Sequence, residues 1–167
     1  MRLRIISLQM NIVFGIFSHI MSNSFSSITV HIIFHTKSTG CMMTEEDLPR
    51  IFHYIGGVIH ALSGYVYTVG GRPDHIHILT SLPVTTSVAD FVGKIKSNTS
   101  RWLKEIGPSY KNFSWQEGYG VFSVSESNRD NVISYISKQK EHHLKSSTQE
   151  EFRRFLLKHG ISVGEDC

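Results

Sequence analysis

The stretch "SITVHIIFHTKS" (27–38) places hydrophobic residues in a near-continuous run rather than at alternate positions. Such a run, rich in β-branched and aromatic residues, predicts a central strand covered on both faces. A helical period follows it: Leu48, Ile51, Phe52, Ile55, Val58, Ile59 and Leu62 recur at three- and four-residue steps. Thr44 is the expected N-cap, with Glu45, Glu46 and Asp47 in the first turn, and Pro49 is tolerable only near that turn. Gly64 is the expected C-terminal stop, and Gly56 and Gly57 inside the helix predict a close packing contact. "YVYTVGGRPDHIHILTSLP" reads as a hairpin, with strands at 65–70 and 75–82 joined through GGRPD. A second helix, about 86–106, buries Val88, Phe91, Val92, Ile95, Trp102, Leu103 and Ile106. "FSWQEGYGVFSVS" (113–125) is a further strand, and helices are expected at about 127–143 and 148–159.

The predicted order is β-α-β-β-α-β-α-α, and its first six elements match the ferredoxin-like split βαβ pattern. The expected class is therefore α+β. An antiparallel sheet carries two helices on one face, its other face is partly open, and a tyrosine-bearing helix follows at the C-terminal end. A length of 167 residues without repeats suits one domain. Residues 1–20 are basic and then apolar, but Gln9 and Asn11 interrupt the run and no A-x-A cleavage site follows. The run is too short and too polar to span a membrane. Met21 opens a normal start, so 1–20 are expected to be an extension ahead of the true initiator, or poorly ordered. The single domain is then 21–167.

Charge changes this picture little. The formal net charge of +3 suits an anionic partner, and dropping Arg2 and Arg4 brings it to about +1. Cys41 and Cys167 form neither a disulfide framework nor a CxxC knuckle, which places the chain in a reducing cytoplasm.

The chemistry concentrates in two places. His75 and His77 lie two apart in a predicted strand, so their imidazoles share a face and can reach one metal ion. The plainer alternative has one lining the core and the other serving as a satisfied hydrogen-bonder. Tyr135 and Gln139 sit four apart on one face of the predicted third helix, beside the stripe of Val132, Ile133 and Ile136. The plainer alternative there is a boundary tyrosine anchoring an amphipathic helix. Lys94, Asn98 and Arg101 line up on the second helix opposite its apolar side, fit either for phosphate contact or for simple solvation.

Taken together these motifs resemble a known family. "PDHIHIL" resembles the HUH motif, two histidines around a bulky apolar residue. "SYISKQ" resembles the nucleophile motif of the single-tyrosine HUH transposases from the smallest insertion sequences. These form the IS two-hundred-like family, which includes the repeat-associated tyrosine transposases. "VHIIFHTK" and "WQEGYGVFSVS" are similar to that family as well, and the resemblance covers roughly residues 24–160. It implies a DNA transposase that nicks and rejoins single-stranded DNA with hairpin ends, acting as a homodimer and not at a membrane. It implies Tyr135 as nucleophile, forming a 5′-phosphotyrosine, and His75, His77 and Gln139 as ligands of a divalent cation, Mg²⁺ or Mn²⁺. By charge and helix face, Lys94, Asn98 and Arg101 are the candidates for contact with the DNA backbone, with Lys96 and Lys104 adding to the electrostatic attraction. Whether the site is built within one subunit or between two stays open. Two other classes compete. A histidine-triad hydrolase would need a third histidine where Leu79 stands. A non-catalytic ferredoxin-like module binding single-stranded nucleic acid would leave the His pair, Tyr135 and Gln139 without a role.

Overall fold

The computed structural model describes residues 25–37, 41–138, 153, 155–157 and 160. Residues 1–20, Gln139 and the remainder of the helix expected to 143 lie outside the described residues, as does most of the last expected helix.

Seven principal elements follow one another: β1 (Thr29–His35), α1 (Leu48–Ala61), β2 (Val66–Arg72), β3 (His75–Ser81), α2 (Val88–Ile106), β4 (Gly120–Ser123) and α3 (Arg129–Ser137). The strands form an antiparallel sheet in the order β2-β3-β1-β4. This is the ferredoxin-like arrangement expected from the sequence. As its apolar run predicts, β1 is central, and every residue from Thr29 to Phe34 is buried.

Alternation along the strands divides the sheet into two faces. Val30, Ile32 and Phe34 of β1 and Ile76 and Ile78 of β3 join Ile51, Ile55 and Ile59 of α1 and Phe91, Val92, Ile95 and Leu103 of α2 in one core cluster. The opposite face carries His31, Ile33, His75, His77 and Leu79, each no more than 3% exposed. That face is covered rather than open, because α3 packs onto it through β2 and β3. The cover is made by Tyr135 and Ile136 of α3, with Phe155 alongside.

Three local expectations are corrected. The helix α1 begins at Leu48 with Asp47 as N-cap, one turn later than Thr44 suggests. Pro49 at its start tolerates this, since an N-terminal proline forfeits no helical hydrogen bond. Thr44 and Asp47 instead tie the preceding turn to Tyr110. The Tyr110 hydroxyl donates to Asp47 Oδ2 at 2.7 Å and the Thr44 hydroxyl donates to it at 2.8 Å. These bonds, Tyr110's first, hold the Asp47 carboxyl below the usual carboxylate range. At the other end of α1, the left-handed position is taken by Ser63 (φ 64°) rather than Gly64. Ser63 N donates to His60 O and Gly64 N to Ile59 O, both at 3.0 Å, which is a Schellman closure. The glycine is needed for space, because a Cβ there would lie 2.8 Å from Ile59 Cγ2 and 3.1 Å from Phe91 Cζ. Among the described residues no such contact exists at Gly56 or Gly57, where a Cβ meets nothing within 4 Å.

The strand expected over 113–125 shrinks to Gly120–Ser123, with Trp115 making an isolated bridge to Thr36. The intervening carbonyls turn away from the ladder toward one ammonium group. Lys96 Nζ donates to the carbonyls of Gln116, Glu117 and Gly118 at 2.6, 3.0 and 3.1 Å, and lies over the rings of Phe34 and Tyr119. Partial burial pushes the Lys96 ammonium below the usual lysine value, against the pull of Glu117. Lys96 is thus a structural clamp on this loop. Lys96→Met is expected to destabilise the fold by about 1–2 kcal/mol, the scale of exposed charge-assisted hydrogen bonds. Urea denaturation monitored by Trp115 fluorescence checks this.

Candidate active site

The site is built from two adjacent strands and one short helix. The tight turn at Pro73–Asp74 closes the β2–β3 hairpin and starts β3 at His75. His75 and His77 therefore point to the same face, their rings 5.0 Å apart and nearly perpendicular. The β1 register sets His35 opposite His75 and Ile33 opposite His77. His35 stands 5.6 Å from His75, and His31 stands 5.1 Å from His77. Four imidazoles thus run diagonally across two strands.

Each of the two expected ligands has its Nδ1 engaged. His75 Nδ1 lies 2.8 Å from Asp74 Oδ1 at the hairpin turn, and His77 Nδ1 lies 2.9 Å from His31 Nε2. With Nδ1 occupied, Nε2 is the ring nitrogen suited to a metal. The pair fits a divalent cation as part of a ligand set. Among the described residues no three His, Cys, Asp or Glu side chains form a metal-binding group. Gln139, the expected third ligand, lies outside the described residues.

Tyr135 comes from α3. Its ring meets His77 edge-on at 5.8 Å and His31 at 6.3 Å. Phe155 flanks it at 6.5 Å and packs on Phe122 of β4 at 4.7 Å. What lets α3 come so close is Gly70, directly opposite His77 in the β2–β3 ladder. A Cβ on Gly70 would lie 2.7 Å from Ile136 Cγ2 and 2.9 Å from Ile136 O. Ile136 is the buried residue of this helix.

The structure therefore brings His75, His77 and Tyr135 together within one chain. It does not bring Lys94, Asn98 and Arg101 to them. These lie on α2, which packs on the other side of the sheet. There Asn98 Nδ2 donates to Lys94 O at 2.8 Å and Arg101 Nη2 donates to Asn98 Oδ1 at 2.6 Å, with Lys94 and Arg101 exposed. Sequence reasoning missed His31 and His35. Their signal was parity: positions 31, 33 and 35 share a face in any strand, but the run was read as apolar throughout.

Among the described residues no helix is long and apolar enough to cross a membrane.

A family model described as IS200-like transposase matches residues 24–139. The ISDra2 transposase TnpA of Deinococcus radiodurans is 30% identical over 79 residues, which is 44% of this chain and 56% of that protein. The chain thus spans about half the length of the curated relative it matches. Among solved structures, a provisionally assigned transposase from Deinococcus radiodurans superposes with a TM-score of 0.55 at 20% identity, covering 70% of this chain and 94% of that one. A REP-associated tyrosine transposase bound to a REP hairpin gives 0.54 at 16% identity over 74% of each chain. These two likenesses show a shared fold. The family match spans well over half of the sequence, and on that basis the chain belongs to the IS200-like transposase family.

Proposed function

We propose that the chain cuts and rejoins single-stranded DNA through a covalent bond to Tyr135. The observation that carries this reading is the seating of the Tyr135 ring against His77 on the face that also holds His75. Membership of the transposase family supports the reaction class. The REP hairpin held by a structural neighbour favours folded, hairpin-ended DNA as the substrate.

His75 and His77 would hold a divalent cation, Mg²⁺ or Mn²⁺, with Gln139 as third protein ligand. When bound, the cation supplies uncompensated positive charge that polarises the phosphate oxygens. The remaining work falls to the chain. A free tyrosine titrates near pH 10 and is a weak nucleophile at pH 7, so its effectiveness depends on placement beside the phosphate. The Tyr135 hydroxyl oxygen attacks phosphorus and its proton passes to solvent. The Oη–P bond forms as the P–O3′ bond breaks, and the departing oxygen takes up a proton to leave a free 3′-OH. The product is a 5′-phosphotyrosine ester, and attack of a 3′-OH on it reverses the balance and frees the tyrosine. Rejoining needs no nucleotide cofactor. One tyrosine per chain serves one strand transfer, so two transfers need a homodimer.

Lys94, Asn98 and Arg101 are proposed to hold the DNA backbone on α2. A strand reaching from there to Tyr135 passes around an edge of the sheet. Replacing both Lys94 and Arg101 by Gln is expected to weaken hairpin binding at every sequence and to reduce the salt dependence of log K by about 2. An unchanged salt slope in fluorescence anisotropy would leave the stripe as a solvated face.

The reaction itself is tested with hairpin-ended single-stranded DNA and Mg²⁺ or Mn²⁺ on a denaturing gel. A metal-dependent protein–DNA adduct mapping to Tyr135 by mass spectrometry is expected. If no such DNA yields an adduct, a non-catalytic single-strand-binding module is the better reading.

A further inference from the structure

We propose that His31 is a positioning residue that sets the tautomer of His77 and braces the ring of Tyr135. The inference rests on the reading of His75 and His77 as metal ligands.

The argument begins with proton counting. A neutral imidazole carries one proton, and only the other nitrogen can bind a metal. His31 Nε2 and His77 Nδ1 face each other at 2.9 Å in a buried pair. Between two neutral rings one nitrogen donates and the other accepts. If His31 donates, the proton of His77 sits on Nε2 and blocks ligation there. If His77 Nδ1 donates, His77 Nε2 presents its lone pair. Metal binding through His77 Nε2 thus requires His31 Nε2 as acceptor, with the His31 proton on Nδ1. Asp74 Oδ1 plays the equivalent part for His75 Nδ1. The difference is that His31 does so from the neighbouring strand, at 1% exposure.

The placement follows from the register. Leu79 is the direct partner of His31, and Ile33 that of His77, so the two imidazoles meet on the diagonal. Their ring centroids lie 5.1 Å apart with an interplanar angle of 29°, the near-coplanar approach that a nitrogen-to-nitrogen hydrogen bond requires. The same His31 ring meets Tyr135 at 6.3 Å and Phe155 at 5.0 Å, both edge-on. One buried side chain therefore touches a candidate ligand and the candidate nucleophile. Outer partners of metal-bound histidines fix ring orientation and tautomer, and losing one typically weakens metal binding about 10–100-fold.

The test uses Mn²⁺ titration by electron paramagnetic resonance on three full-length chains, with far-UV circular dichroism as the check on folding. His31→Phe keeps an aromatic ring but no acceptor, and is expected to bind Mn²⁺ about 10–100-fold more weakly than the parent. His31→Gln restores an acceptor oxygen and is expected to recover most of that loss. A second measurement needs no substitution. In ¹H–¹⁵N spectra of the parent chain, Zn²⁺ is expected to shift His77 Nε2 while Nδ1 stays protonated. A folded His31→Phe that binds Mn²⁺ as tightly as the parent, or a Zn²⁺ shift on His77 Nδ1, overturns the proposal alone. A parent chain that takes up neither ion overturns the metal-site reading and this inference with it.

Discussion

Tyr135→Phe is expected to remove the covalent protein–DNA adduct, by at least about a thousand-fold, while the chain still folds and binds DNA. The substitution deletes one oxygen and leaves the ring. Contacts with His77 at 5.8 Å, His31 at 6.3 Å and Phe155 at 6.5 Å are ring contacts, which phenylalanine reproduces. A loss of adduct therefore reports on chemistry rather than on packing. The measurement is adduct formation on a denaturing gel, paired with thermal unfolding and with hairpin binding by anisotropy. An adduct that persists would assign the nucleophile to another residue.

Gly70→Val is expected to slow adduct formation by about a hundred-fold without touching any reacting group. The side chain would enter space held by Ile136, whose Cγ2 and carbonyl oxygen lie 2.7 and 2.9 Å from the Cβ position. Neither a paired strand nor a packed helix yields that much locally, so α3 must lift or rotate. Overpacking of this kind costs about 1–3 kcal/mol. The larger consequence is for rate, because a displacement of about 1 Å at a reacting group costs on the order of a hundred-fold. His75 and His77 remain on β3, while Gln139, the proposed third ligand, follows Tyr135 in the same expected helix, so Mn²⁺ binding is expected to weaken rather than vanish. Gly70→Val with parental adduct kinetics would show that this close approach does not position Tyr135.

Much of this organisation was legible in the sequence, for identifiable reasons. The apolar run of β1, the Pro73–Asp74 turn and the helical period of α2 each act over a few residues, and each appears where patterning places it. The shared face of His75 and His77 was legible because strand alternation fixes their parity. The start of α1 was displaced because Tyr110, distant in sequence, recruits Asp47 and Thr44 into a separate turn. The shortening of β4 has the same kind of origin. Lys96 lies twenty or more residues from the carbonyls it gathers, and no local pattern announces that contact. Ser63 in the left-handed position displaced the expected role of Gly64, whose need for space comes from Ile59 of the same helix together with Phe91 of α2. The partnership of His31 with His77 depends on pairing between β1 and β3, which becomes visible only once the register is known.

The alternation of β1 has a consequence for folding fidelity. Its even positions, Val30, Ile32 and Phe34, supply the core, while its odd positions, His31, Ile33 and His35, supply the face that carries His75 and His77. A slip of one residue against β3 would exchange the two sets. It would drive imidazoles among the aliphatic side chains of α1 and α2, and turn Ile32 and Phe34 toward the face that Tyr135 covers. The same error would forfeit both the core and the grouping of His31, His75 and His77, so the hydrophobic pattern of β1 itself disfavours a chain with this strand misaligned.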